Sequence, residues 1–324
     1  MDKLTPVAVI GFVRPKVLRR TLLGLSEAQD VLNRDVFVYL SCPRDDIEKV
    51  KTDKVLEVVQ EIKEAVLPNI VIIQRSENLG CSGNIRYAID KTLENSSRVI
   101  VIEEDVRVSK TFLRYMDGAL DYYESDKRIW AVNGYHNLFL KVPKTYRYDV
   151  LLNPRNMCWG WATWRDRWCS TDFTLDGWPD FRKDATQMAR LTAAGSDIAS
   201  MIECGYESRN SVWDATASWY LVRNNLYTIE CVYSQTKSIG ICSEDAQHCS
   251  LPHGYYEKQK FYNFMPRFVP VDDLLKEGEK LQGRFRHSVS DHRLIPFAWR
   301  CIMRVLKHFI GPMNDEPITK GNKL

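Results

Sequence analysis

A short apolar run that ends directly in three acids constrains the fold of this chain more than any other segment. Residues 99–105 read VIVIEED. A continuous run of β-branched residues is typical of a strand that is buried on both faces in the middle of a parallel sheet. In open α/β sheets, ligands bind at the carboxyl ends of the strands, and Glu103, Glu104 and Asp105 lie at such an end.

Adjacent carboxylates are unfavourable unless a cation or a hydrogen-bonding ligand compensates their charge. Hard divalent cations such as Mg²⁺ and Mn²⁺ take oxygen ligands and often bridge to substrate phosphates. The run therefore predicts a metal or diphosphate site. One alternative stays open at this stage, because the same acids could form an ordinary turn before a helix that is capped by Ser109.

Composition places the chain among ordinary globular proteins. It has 324 residues, of which 44% are hydrophobic and 27% charged, with a formal net charge of +3. The body holds no long basic stripe with interleaved aromatics, which argues against nucleic acid as a partner. Nine cysteines are scattered without metal-binding spacing, a pattern that suits reduced thiols. Because a strand pattern begins at residue 6 and no run approaches a membrane span, we expect a cytoplasmic protein.

Strand and helix patterns alternate through the first 135 residues. This order predicts a parallel sheet with helices on both faces, which is an α/β fold. In the second half the alternation is lost, and residues 154–181 alone carry five tryptophans. The predicted strands are 7–12, 36–40, 70–73, 99–102 and 129–132, and the predicted helices are 15–28, 45–66, 82–93 and 111–123.

Several nucleotide-dependent chemistries are excluded by missing motifs. No GxGxxG follows the first strand, and the chain has no Walker A loop, no HExxH and no GxSxG. An acid cluster that holds a metal, with a diphosphate as its partner, remains the best-supported chemistry.

Three segments then resemble a known group of enzymes. NIRYAI at 84–89, VIVIEEDVRVSKTFLRYMDGAL at 99–120 and IWAVNG at 129–134 resemble GT-A glycosyltransferases. The nearest resemblance is to the N-acetylglucosaminyltransferase I family and to bacterial sugar transferases related to glycosyltransferase family 2, and it covers residues 5–250. It implies a GT-A fold, which is Rossmann-like and mostly parallel, with an aromatic-rich acceptor half.

The resemblance also implies roles at the donor side. Glu103 would contact the donor sugar, Glu104 the ribose or the metal shell, and Asp105 would ligate the divalent cation, Mn²⁺ or Mg²⁺. Arg14 would lie near the nucleotide, and Arg86 would approach the base or the diphosphate. Both arginines could instead be surface cations at helix starts. Where the family has an Asp that binds uracil after the second strand, this chain reads SCPR at 41–44.

Three further segments carry the remaining roles by resemblance. CWGWATWRDRW at 158–168 resembles the acceptor-side motif, so Trp159, Trp161 and Trp164 would stack on sugar rings, although tryptophans there could simply fill the core. In SVWDATASW at 211–219, Asp214 would be the catalytic base, or alternatively a helix N-cap. IGICSEDAQH at 239–248 resembles a loop that closes over the nucleotide, with His248 as a metal or diphosphate contact.

Together these features predict an inverting, metal-dependent glycosyltransferase that moves a sugar from a UDP-linked nucleotide sugar to a glycan or lipid-linked acceptor in polysaccharide biosynthesis. Two rivals are a sugar nucleotidylyltransferase and a non-catalytic carbohydrate-binding protein. The expected domains are a nucleotide-sugar-binding half at 1–135, an acceptor-binding half at 136–275 and a basic amphipathic segment at 276–324.

The C-terminal segment carries the last expectation. Residues 276–324 hold ten Lys/Arg and five Asp/Glu, and residues 297–310 place basic side chains opposite an aromatic and aliphatic face. That pattern is typical of an interfacial helix, which would make the protein peripheral at the inner membrane. The same apolar face could instead pack on the body of the enzyme or on a partner chain.

Overall fold

The computed structural model describes residues 4–137, 140–208, 212–240, 259–278, 281 and 318–319. Its centre is an eight-stranded sheet in the order β3-β2-β1-β4-β8-β6-β9-β7. The strands are β1 Val7–Gly11, β2 Val36–Leu40, β3 Ile70–Gln74, β4 Arg98–Glu103, β5 Val106–Val108, β6 Ile129–Asn133, β7 Val150–Asn153, β8 Trp161–Trp164, β9 Tyr227–Cys231, β10 Thr236–Ser238, β11 Tyr262–Asn263 and β12 Ile318–Thr319.

Helices and short helical turns connect the strands. Proline opens the first helix, and Asp45 caps the second by accepting the backbone N–H of Glu48 at 2.8 Å. The helices are α1 Pro15–Ser26, α2 Asp46–Ala65, α3 Gly80–Leu93, α4 Phe112–Tyr123, α5 Arg165–Cys169, α6 Trp178–Phe181, α7 Ala185–Ala194, α8 Ile198–Ser208, α9 Trp213–Asn224 and α10 Val271–Gly278, with a 3₁₀ turn at Val31–Asn33.

The first four strands of the sheet order are parallel to one another, and β6 and β9 run in the same direction. Strand β8 is antiparallel to both of its neighbours, β4 and β6, and β7 is antiparallel at the edge. The carboxyl ends of β1, β2, β3 and β4 therefore meet at one edge of the sheet, which we call the acid edge.

Both faces of the sheet are covered by helices, because side chains alternate along each strand. In β4, Ile100 and Ile102 join the core under α1, α2 and α4, whereas Val99 and Val101 join the core under α3 and α9. All four side chains are fully buried. The predicted α/β class, with a mostly parallel sheet flanked by helices, is confirmed.

Strands from the second half of the sequence complete this same sheet, since β8 lies between β4 and β6, β9 pairs with β6, and β7 pairs with β9 at the edge. A separate antiparallel ribbon, formed by β5 and β10, follows the acids directly. The division into nucleotide-sugar-binding and acceptor-binding halves stays a prediction. Within the described ranges, no helix has the length and apolarity that a membrane crossing requires. The predicted interfacial helix at 297–310 lies outside the described residues.

Candidate active site

The three acids Glu103, Glu104 and Asp105, which we call the acid run, lie at the acid edge, as the sequence predicted. Some of their carboxylates are ion-paired. Arg14, three residues beyond the end of β1, places its Nε on Glu104 and its NH2 3.2 Å from Asp105 Oδ2. The backbone N–H of Phe12 also donates to Glu104 Oε2 at 2.8 Å. Glu104 is thus held by the loop after β1, and Arg14 belongs to the acid cluster rather than to the open surface.

The carboxyls in this cluster are unequal. Burial and, to a smaller extent, the charges of Asp105 and Asp214 together raise the pKa of Glu103 to about 8. Burial also raises the pKa of Glu104, although Arg14 opposes that shift. Glu103 Oε1 is buried and has no hydrogen-bond partner in the described part of the chain. A ligand that donates hydrogen bonds would satisfy it.

Hydrogen bonds to two of its carbonyl groups fix the backbone of the acid run. Thr21 Oγ1 donates to the carbonyl of Glu104, and the N–H of Ile239 donates to the carbonyl of Asp105, both at 2.7 Å. Gly240 packs directly on Asp105, the candidate metal ligand, since an added Cβ at Gly240 would lie 2.3 Å from Asp105 Oδ2. The ribbon of β5 and β10 therefore sets the direction in which Asp105 points.

Asp214 is the second residue of α9, so it lies in the first turn but is not the N-cap, a position that Val212 occupies. Burial raises the pKa of Asp214, while the charge of Arg155 and the backbone N–H groups of the helix start lower it. The N–H of Trp213 donates to Ser82 Oγ at 3.3 Å, which places the start of α9 against the start of α3.

The structure brings the two predicted acid segments together. Glu103 interacts with both Asp105 and Asp214, which are 109 positions apart in the chain. Burial and, to a smaller extent, the carboxylates of both segments together raise the pKa of the Cys81 thiol, at the start of α3, to about 12. The Cys158 side chain hydrogen-bonds Glu103. The carboxylates at the end of β4 and at the start of α9 therefore lie within electrostatic range of one another.

The fit of a metal ion can be judged from these ligands. In the part of the chain that the structure describes, no group of three His, Cys, Asp or Glu side chains could hold a metal by itself. Mg²⁺ commonly binds through one or two carboxylates plus substrate phosphates, and Asp105 fits that arrangement. The residues therefore suit a cation that arrives with a diphosphate rather than a cage made of protein alone. His248 lies outside the described residues.

Arg86 is not brought to the acids. Its guanidinium carbon lies 4.6 Å from the centre of the Phe173 ring, a cation–π contact on the α3 side of the sheet. No ion pair with the acid run is found for Arg86 among the described residues. Its predicted contact with the base or diphosphate stays a prediction.

The three candidate tryptophans separate into two kinds. Trp161 and Trp164 are 0% and 1% exposed, and Trp161 stacks between Trp130 and Trp213 at 5.5 and 5.4 Å. Neither ring has a free face for a sugar, so these two fill the core, which was the open alternative. Trp159 is only half-buried, and its carbonyl accepts the Thr236 hydroxyl of β10 at 2.7 Å. Its predicted contact with an acceptor sugar stays a prediction.

Two features of the site were missed by the sequence reasoning. Arg75 follows β3 at the acid edge, lies 3.7 Å from the Tyr87 ring centre, and has buried Nε and NH1 atoms without a hydrogen-bond partner in the described chain. Arg75 could have been predicted from its position after a parallel strand, since such residues lie at the ligand-binding edge of the sheet. The buried Glu230 contacts His136 Nδ1 at 2.6 Å, a pair with no signature in the sequence.

Comparisons with known proteins find similar solved structures but no family model and no curated protein. No protein-family model matches the chain. No curated protein matches it. Among solved structures, residues 1–349 of S. aureus TarS are 16% identical, over 49% of this chain and 46% of that one, with a TM-score of 0.35. The chain thus spans less than half of that relative.

Two further structures are similar at 12% identity. The mannosyltransferase PcManGT from Pyrobaculum calidifontis, in complex with GDP-Man and Mn²⁺, matches over 68% of this chain and 69% of its own, with a TM-score of 0.40. Glucosyl-3-phosphoglycerate synthase from Mycobacterium tuberculosis, in complex with Mn²⁺, UDP and phosphoglyceric acid, matches over 41% and 43%, with a TM-score of 0.28. The resemblance to the N-acetylglucosaminyltransferase I family stays a prediction.

Proposed function

We propose that this protein is an inverting, metal-dependent glycosyltransferase of GT-A fold, which moves a sugar from a nucleoside diphosphate sugar to a hydroxyl group. The observation that carries the proposal is that the carboxylates of Asp105 and Asp214 both act electrostatically on the buried carboxyl of Glu103. Inverting transfer needs charge compensation at the leaving diphosphate and a base at the attacking hydroxyl. The two carboxylate segments can supply one function each.

On the donor side, Asp105 would hold Mn²⁺ or Mg²⁺ together with the diphosphate of the donor. When bound, the cation compensates the negative charge that develops on the leaving diphosphate. Arg14 lies beside Asp105 and can donate to phosphate oxygens. The unpartnered Oε1 of Glu103 suits a hydroxyl of the donor sugar. Arg75 and the 41–44 loop border the nucleotide end, which we propose to be a uridine.

On the acceptor side, Asp214 would remove the proton of the acceptor hydroxyl as its oxygen attacks the anomeric carbon. The bond from that carbon to the diphosphate breaks on the opposite face, so the product has the inverted configuration. Asp214 must be ionised to act, and the positive end of the α9 dipole favours that state. Trp159 would present its half-buried ring to an acceptor sugar. A glycan or lipid-linked acceptor in the cytoplasm, with the C-terminal segment on the inner membrane surface, completes the proposal.

Nucleotide-sugar turnover tests the proposal. The purified chain is incubated with Mn²⁺ and a panel of UDP, GDP, TDP and CMP sugars, and release of the free nucleotide is followed by chromatography. We expect nucleoside diphosphate from one donor class. Pyrophosphate release from a nucleoside triphosphate plus sugar phosphate would indicate a nucleotidylyltransferase instead. Glycan binding without any turnover would leave the carbohydrate-binding rival. A product with the anomeric configuration of the donor would overturn inversion.

A further inference from the structure

An ion pair behind the candidate base joins the loop after β7 to the turn between α7 and α8. Arg155 donates from NH1 to Asp197 Oδ1 at 2.7 Å and from NH2 to Asp197 Oδ2 at 2.9 Å. Such a paired, planar contact fixes the guanidinium in position as well as in charge. Gly195 also packs on it, because an added Cβ there would lie 2.7 Å from Arg155 NH1. The turn between α7 and α8 therefore holds Arg155 through two of its residues.

The same loop is bonded to the first turns of α9. The N–H of Asn156 donates to Ser218 Oγ at 3.3 Å, and Ser218 Oγ donates to the carbonyl of Asp214 at 2.8 Å. The residue next to Arg155 is thus two hydrogen bonds away from the backbone of the candidate base. A displacement of this loop would therefore be transmitted through these hydrogen bonds to the backbone of Asp214.

The charges around Asp214 are uneven. Burial raises its pKa, and the like charge of Asp197 acts in the same direction. Glu103 on β4, Cys158 on the β7–β8 loop and Cys81 on α3 also interact with Asp214. Arg155 opposes these groups with its positive charge, together with the backbone N–H groups at the start of α9. Without it, only those backbone N–H groups would oppose burial and the like charges.

We propose that Arg155, clamped by Asp197, is a positioning residue that keeps Asp214 ionised and oriented as the base of the reaction. It touches neither donor nor acceptor in this scheme and acts only through Asp214. The role of Asp214 as a base rests on the proposed function, but the effect of Arg155 on its charge does not. The two can therefore be tested apart.

The direct test follows the titration of Asp214 itself. The full chain is labelled with ¹³C at aspartate carboxyl carbons, and the Asp214 signal is identified by its loss in Asp214→Asn. We expect Arg155→Gln to move the midpoint of this signal to higher pH, since a buried carboxylate loses its opposing charge. Arg155→Lys keeps the charge but loses the paired geometry, so its midpoint should lie between those of wild type and Arg155→Gln.

A matched control separates electrostatics from folding. Arg223 ion-pairs with Asp172 near the far end of the same helix, and Arg223→Gln removes a comparable surface contact. We expect it to lower the melting temperature without moving the Asp214 midpoint. If Arg155→Gln fails to fold, the Arg155→Lys midpoint decides. An Asp214 midpoint that is unchanged in every folded Arg155 variant would overturn the proposal.

Turnover provides the second readout. Where wild type releases nucleoside diphosphate, Arg155→Gln should lose roughly tenfold more rate at about pH 6 than at about pH 8.5, because one pKa unit corresponds to a tenfold change in ionised base. Equal losses at both pH values would indicate a merely structural role and would also overturn the proposal. If wild type turns over no donor while the Asp214 midpoint still moves, the proposed function fails and the role of Arg155 stands.

Discussion

The acid run at the end of β4 and the single carboxylate at the start of α9 differ in how their charge is compensated. The run has three carboxyls and one ion-paired arginine, Arg14, so its described partners leave negative charge over. Asp214 has a nearby arginine and the N–H groups of a helix start. We therefore expect the run to take up a cation from outside, whereas the chain itself supplies the groups that oppose burial at Asp214. We expect chelation of the metal to affect the acid run, and substitution of side chains to affect the Asp214 site.

The largest effect should come from removing the compensation of the acid run. EDTA should abolish donor turnover, Mn²⁺ or Mg²⁺ should restore it, and Asp105→Ala should behave like permanent chelation. Asp53→Ala, at an exposed ion pair on α2, serves as the control and should keep full activity. Nucleotide release measured in parallel checks all three. Full wild-type activity in EDTA would mean that the acid run needs no cation and does not differ from the Asp214 site in this respect.

Asp214→Asn should have the next largest effect. The amide keeps the size of the side chain but accepts no proton at neutral pH, and loss of a general base typically costs about 10²–10⁴-fold in rate. Donor affinity, measured by calorimetry with Mn²⁺ present, should stay near the wild-type value because the acid run is untouched. Asp180→Asn, at an exposed position, is the matched control. Near wild-type transfer by the Asp214 variant would move the base elsewhere.

Gly240→Ala tests how tightly the ribbon fixes the acid run. The new Cβ would lie 2.3 Å from Asp105 Oδ2 and 2.6 Å from Arg14 NH1, so both side chains must shift. A misplacement near 1 Å can cost about 10²-fold in rate, and we expect a loss up to that size. Gly278→Ala, where nothing lies within 4 Å of the added Cβ, should be silent. An unaffected Gly240 variant would mean that Asp105 needs no fixed direction.

The smallest effect concerns stability. Because burial raises the Glu103 pKa from 4.5 to about 8, the folded state holds this proton more tightly than the unfolded state does. The free energy of unfolding should therefore fall as pH rises between those values, by at most about 1.4 kcal/mol per unit. In EDTA, urea denaturation of Glu103→Gln should show a flatter pH dependence than wild type. Parallel curves would mean that Glu103 is already ionised at neutral pH.

The two halves of the molecule also differ in how much of their structure the sequence reveals. The first four strands were predicted within one residue at each end, because apolar runs between helical patterns leave few alternatives. Strand β8 was missed, since Trp161-Ala162-Thr163-Trp164 reads as a tryptophan motif and its neighbours β4 and β6 lie far away in sequence. Its antiparallel pairing with β4 and β6, which no local pattern reveals, defines it as a strand.

The site shows the same limit. Residues that follow a strand, such as Asp105 and Arg14, are placed by the parallel sheet and could be predicted. Asp214 was found by resemblance to a motif. The Arg155–Asp197 pair joins two irregular segments 42 positions apart, and no local pattern marks either residue. Trp161 was assigned to the acceptor because a sequence cannot tell which tryptophans in a cluster are buried.

The position of β8 has a consequence for how the chain can be made and cut. This strand, beginning at residue 161, closes the side of β4 that faces away from β1. A growing chain that has reached residue 135 therefore carries a fully apolar strand, Val99–Ile102, with one open hydrogen-bonding edge. Such an edge pairs readily with other chains, so a fragment ending there would tend to aggregate during synthesis until the tryptophan segment arrives to cover it.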